Sequence, residues 1–215
     1  TAAETARAAA DAVAARAREL PARAADVRRG AASVHTRREA LRTRHERLAP
    51  VMSELRRRYT HRAWAAVEQA PQQAATALGE VDDVLARLDV LLAAPVLDVP
   101  AAAALLERVR GAAGRAEQAI RSATDRLAQL DAASSDPGSV LGAVARELVD
   151  ARRFLAALPE GRGQRFRSTF DNLARRLDAL QGEVRAPRPD WGHVVDEARA
   201  ISAGLDAMIR TARAG

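Results

Sequence analysis

The sequence has no cysteine and no lysine, and only 3% of its residues are aromatic. Without cysteine there can be no disulfide, zinc ribbon or thiol nucleophile, and thiol redox chemistry is excluded. Without lysine there is no Schiff base and no phosphate-binding P-loop lysine, and all 34 basic side chains are arginine. Isoleucine occurs three times, and no window alternates β-branched and polar residues, so nothing here builds strands. The longest apolar stretch, Val90 to Leu106, falls short of the roughly 20 residues that a membrane-spanning helix needs. Pro95, Asp98 and Pro100 interrupt it as well. It reads first as a buried connector between helices, and second as an exposed hydrophobic tip that docks a partner or a bilayer. Gly-x-Ser-x-Gly, His-Glu-x-x-His, Walker and Rossmann patterns are also missing. The chain is therefore expected to be no enzyme, with no cofactor and no small-molecule substrate.

Alanine dominates what is present, at 53 of 215 residues. It is the best helix former and buries little area, so the expected core is thin and made by closely packed helices. Ala6, Val13, Leu20, Val27, Val34, Leu41, Leu48 and Leu55 recur at intervals of seven. A second seam runs four residues behind them: Ala10, Ala17, Ala24, Ala31, Arg38, His45, Met52 and Tyr59. The pair has the pattern of d and a positions in a coiled coil. If unbroken, residues 2 to 59 form a rod of about 85 Å, with Pro21 kinking or interrupting it and Pro50 ending or bending it.

The same spacing continues in five further segments. Ala74 to Leu92 is closed by Pro95, and Ala102 to Leu130 is opened by Pro100 and closed by the Ala132–Gly138 turn. Leu141 to Leu158, Phe166 to Val184 and Trp191 to Ala212 complete the set. The expected fold class is all-α, with elongated antiparallel coiled-coil, three-helix bundles in tandem and no β-sheet. The expected division is an N-terminal helix extension over 1–21, a first bundle over 22–132 and a second over 138–215. Setting Trp64 on Trp191 aligns Val67 with Val194 and Leu78 with Leu205. That match is read either as an internal repeat or as two helix starts, capped by Thr60 and Asp190, that each need one large anchor. Residues 2 to 20 carry only Val13 and Leu20 as large seam residues, which predicts either packing against a second chain or a frayed extension.

Long heptad helices in groups of three, with Trp near a helix start, resemble spectrin-type repeats, including those of the bacterial septation-ring regulator. The segments Arg62–Leu85 (RAWAAVEQAPQQAATALGEVDDVL) and Ala116–Ala133 (AEQAIRSATDRLAQLDAA) are similar to the helical region downstream of the TPM domain in actinobacterial membrane-tethered proteins. The resemblance implies a scaffold for protein–protein interaction within a larger envelope- or division-associated protein. It would lie in the cytoplasm or at the cytoplasmic face of the membrane, and neither helical region implies catalysis. Arg38 and His45, both at seam positions, depart from these patterns. The opening residue, Thr1, points to a fragment or processed form.

Charge is uneven. Residues 22–62 hold 12 arginines and four acids, whereas 63–100 hold Arg87 and six acids. The expected consequence is a basic first helix lying along an acidic one, with arginines meeting Glu80, Asp82, Asp83 and Asp89. The alternative is a phosphate-binding surface without sequence preference, formed by Arg28, Arg29, Arg37, Arg42, Arg44, Arg56 and Arg57. A second candidate anion or partner contact is Arg162, Arg165 and Arg167, in the glycine-containing stretch Glu160–Thr169 just before a helix. The first reading of that stretch is a flexible interhelix turn, with the anion contact second. Asp190, His193, Asp196 and Glu197 have partial metal-ligand spacing but lack any Glu-x-x-His motif, so they read as first-turn acids that favour the helix dipole. His45 is expected to be partly buried. Expected partners are a protein or a second copy of the chain, with nucleic acid as the alternative.

Overall fold

The computed structural model describes residues 2–159 and 161–214, apart from the side chains of Ala2 and Arg16. Thr1, Glu160 and Gly215 lie outside the described residues. Among the described residues there is no strand. The helices are α1 (Ala2–Glu46), α2 (Leu48–Arg58), α3 (His61–Trp64), α4 (Ala70–Ala93), α5 (Val99–Ser135), α6 (Pro137–Ala156), α7 (Arg167–Glu183) and α8 (Trp191–Ala214). Short 3-10 turns at Ala65–Val67 and Gly163–Phe166 complete them. The all-α expectation holds, and every helix but α3 follows one of the apolar periodicities.

The expected unbroken run over 2–59 is divided. Helical backbone continues through Pro21, where flanking residues are exposed and the carbonyl freed by the missing N–H can take water. The break falls instead at Arg47, between α1 and α2. Pro50 explains its place, because a proline has no N–H to give the carbonyl four residues earlier, at Glu46. Asp98 accepts the N–H of Ala101 at 3.0 Å and Asp136 that of Ser139 at 2.9 Å, which caps the starts of α5 and α6.

The chain forms two compact units that interleave along the sequence: Thr1–Ala49 with Gln69–Ser122, and Pro50–Glu68 with Ala123–Gly215. These are not the consecutive stretches 22–132 and 138–215. In the first unit, α1 packs on α4. Val27, Ala31, Val34 and Leu41 are buried there with Leu78, Val81, Leu85 and Leu88 of α4 and Leu106, Val109 and Ile120 of α5. Arg42 and Arg87 are exposed, as their helical positions require.

In the second unit, α6, α7 and α8 pack on one another around Leu141, Val144, Leu148, Leu173, Leu177 and Ile201. Residues 50–68 belong here because Ala63 and Trp64 are buried and α3 packs on α8. Leu127, expected inside the first bundle, belongs to this unit and is half-buried. The neighbouring position, Arg126, is the one that turns inward.

The Trp alignment does not describe two equivalent helix starts. Trp64 ends α3 and lies in the second unit, whereas Leu78 and Val81 lie in the first. Thr60 stands before α3 without a side-chain cap; its carbonyl accepts the N–H of Ala63 at 2.9 Å. Trp191 opens α8 as expected, and Asp190 accepts the N–H of His193 at 3.2 Å.

Candidate functional site

Most of the arginines proposed for a phosphate surface are turned to carboxylates of their own unit. Arg37 of α1 donates to Glu117 of α5 at 2.5 Å, and Arg44 reaches the same carboxylate at 3.4 Å. Arg121, one turn further along α5, adds a third guanidinium at 2.9 Å. The hydrogen bond from Arg37 is the largest influence holding the Glu117 carboxyl below its usual range, against the opposing effect of partial burial. Arg38 bonds Asp82 of α4 and Glu39, and His35 meets Asp89 at 3.0 Å. Glu80 faces α5 instead of α1, taking Arg115 at 2.5 Å and Arg108 at 3.2 Å. These two bonds, Arg115 first, lower its carboxyl as well.

The expected pairing of basic α1 with acidic α4 is thus only part of the pattern, because α5 supplies both the Glu117 hub and the partners of Glu80. Glu117 had no sequence signal beyond its i, i+4 relation to Arg121.

Other members of the set lie elsewhere. Arg28 and Arg42 are exposed, and Arg29 pairs with Asp26 on the same helix face. In the second unit Arg56 lies 5.6 Å above the Trp64 ring and Arg57 pairs with Glu54. His45 is half-buried and hydrogen-bonds the Pro71 carbonyl at 3.2 Å.

The stretch Gly161–Thr169 forms a turn and 3-10 segment leading into α7. Gly161 has φ 84°, a backbone that other residues rarely adopt. Arg165 and Arg167 are exposed and Arg162 is half-buried, and of the three only Arg167 lines the cavity beside this turn. Arg167 shares this open cavity of about 790 Å³ with Arg152, Phe170 and Asp171.

Asp190, His193, Asp196 and Glu197 are likewise separated by their partners. Asp190 caps α8, while Asp196 takes Arg126 through both oxygens, at 2.6 and 2.9 Å. Glu197 takes Arg176 at 2.6 and 3.0 Å, which lowers its carboxyl. Among the described residues no group of three or more His, Asp or Glu could hold a metal ion. Arg126 is the one charged side chain in the buried set of described residues, at 8% exposure, and it also donates to the Ala63 carbonyl at 2.5 Å. The sequence did not mark it, since it lies between seam positions Ala123 and Leu127.

Two apolar surfaces stand out in the first unit. The connector after α4 is not fully buried: Val96 is 85% exposed and Val90, near the end of α4, is exposed too, whereas Leu97 is half-buried and Val99 buried. Secondly, α1 runs on before Val27 with its seam uncovered, leaving Val13 65% and Leu20 44% exposed. A groove of about 360 Å³ lies where this face meets the start of α5, between Leu20, Val27, Val99, Pro100, Ala103 and Leu106. Among the described residues no helix is long and apolar enough to cross a membrane. No family model, curated protein or solved structure matches the chain.

Proposed function

We propose that this chain is a non-enzymatic helical scaffold that docks protein partners through the exposed seam of α1, as part of a larger envelope- or division-associated protein at the cytoplasmic side. One observation carries the reading. The heptad that is buried by α4 and α5 from Val27 onward continues through Ala6, Ala10, Val13, Ala17 and Leu20 with exposed residues, Ala24 being half-buried where the cover begins. Apolar residues kept in helical register on a solvated face are what a partner helix would cover. The finer architecture belongs to the same proposal: antiparallel coiled-coil, spectrin-like three-helix bundles.

The alternative, sequence-independent binding of nucleic acid by residues 22–62, is weakened by the internal pairing of Arg37, Arg38 and Arg44. Phosphate contacts would have to displace Glu117 and Asp82 first.

Photo-crosslinking residues placed at positions 13 and 20 of the full chain in its native cells test the docking reading. Protein adducts are expected at both positions and not at Ala15, which lies on the outer face. Absence of adducts at 13 and 20 would overturn it.

A further inference from the structure

We infer that the partner on this face is a second copy of the chain, with the two α1 extensions antiparallel about a two-fold axis and each N-terminal turn seated beside the groove of the other copy. This deepens the docking reading and rests on it. The face is continuous with an interface already formed within the chain, since the same heptad is covered from Val27 onward by α4 and α5. Leu20 belongs to both: it is half-exposed on the open seam and lines the groove with Val99 and Leu106.

Charge does not oppose a copy of the same segment. Residues 2–26 carry Arg7, Arg16, Arg18 and Arg23 against Glu4, Asp11, Glu19 and Asp26. A segment with no net charge has little attraction for an anionic surface and meets no net repulsion from its own copy. Two copies of the arginine-rich stretch that follows would repel each other.

Register then follows from the heptad. Antiparallel helices place a d residue of one opposite an a residue of the other. One register puts Ala3 opposite Leu20, Ala6 opposite Ala17 and Ala10 opposite Val13, giving six layers over about 26 Å at 1.5 Å per residue. Every large residue then faces an alanine, which lets the backbones approach closely. On the flanks no arginine faces an arginine. Moving the register by one heptad would set position 16, an arginine, opposite itself. In the favoured register Ala3 of one copy reaches Leu20 of the other, at the mouth of the groove, where a small side chain fits.

The absence of native cysteine makes the test direct. Full-length A6C and A17C variants, each with its own size tag, are mixed and mildly oxidised, and circular dichroism checks that both keep their helicity. The expected product is a disulfide-linked A6C–A17C heterodimer, with no self-linking of either variant. Identical positions would lie about 16 Å apart along the axis, beyond the roughly 7 Å that a disulfide spans between Cα atoms. Sedimentation of the unmodified chain should give about twice the 23.0 kDa monomer mass. Self-linked A6C would mean parallel pairing and overturn the proposal, as would a monomer at every concentration. Photo-adducts at 13 and 20 to a different protein only would overturn self-pairing while leaving the docking reading in place. Absence of any adduct removes both.

Discussion

Replacing Gly192 with alanine should loosen the second unit by a predictable amount. Gly192 is the second residue of α8 and is buried where α3 crosses it. A Cβ there would lie 2.6 Å from the Ala63 Cα and 2.8 Å from its Cβ, so the obstacle is largely backbone and cannot rotate away. Nor is Ala63 free to retreat, because its carbonyl accepts from Arg126. Overpacking of this kind costs about 1–3 kcal/mol. The offsetting gain in helix propensity is at most about 1 kcal/mol, and less in a first turn. The net expectation is a loss of about 1–2 kcal/mol, or a fall of roughly 4–8 °C in melting temperature for a unit of this size.

Gly79→Ala is the control. Gly79 is exposed within α4 and has nothing within 4 Å of the new methyl, so the propensity gain of about 1 kcal/mol should appear unopposed in the first unit. Trp64 and Trp191 both lie in the second unit, so tryptophan fluorescence follows its melting while circular dichroism follows the whole chain. A Gly192→Ala protein whose fluorescence transition stays at or above that of the unmodified chain would refute the packing of α3 on α8.

Three further outcomes are expected. Arg126→Ala should cost about 2–3 kcal/mol, since it strands a buried carbonyl and releases Asp196, which is exposed enough to rehydrate; Arg126→Lys should recover only part, and urea titration followed by fluorescence measures both. Leu88→Ala, at a fully buried seam position, should cost about 2–3 kcal/mol, the lower half of the usual range because neighbouring alanines let the helices close over the gap, whereas Arg87→Ala should stay within about half a kcal/mol. Folded-state carboxyls of Glu80, Glu117 and Glu197 are lowered by their arginines, so their contribution is complete above the unfolded value near 4.3 and is lost as pH falls through the lower folded value. Urea midpoints measured between pH 7 and pH 3 should fall in that acid window, and Glu117→Gln should flatten the decline; an unchanged slope would show that the Arg37–Glu117 contact does not persist in solution.

Periodicity carried the helices because a seam is a local property. Val27, Leu41, Leu85, Ile120, Leu177 and Ile201 are spaced for burial and are buried. Which helix covers which seam is not local, and there the structure departs from the sequence pattern in identifiable places. Residues 50–59 continue the heptad of the stretch that precedes them, yet Trp64 just beyond is buried in a unit that otherwise starts at Ala123. Nothing near Trp64 in sequence announces α8. Charge summed over segments suggested that α1 would face α4, but a sum cannot say which carboxylate an arginine reaches. Glu117 lies outside both segments counted and collects Arg37, Arg44 and Arg121. Arg126 was illegible for the same reason: its value depends on a backbone carbonyl 63 residues earlier and a carboxylate 70 residues later.

The Glu117 hub has a consequence for how this chain can be regulated. Its cations are guanidinium groups, which stay charged at any pH a cell reaches. Lysine acetylation, the commonest way to erase a positive charge after synthesis, has no side chain to act on anywhere in the sequence. Arginine methylation would keep the charge and block only the hydrogen-bond geometry, so contacts such as Arg37 to Glu117 would loosen without becoming repulsive. The contact between α1 and α5 is thus tuned from its acidic member, and Glu117 is where a single proton changes the bonding of three arginines together.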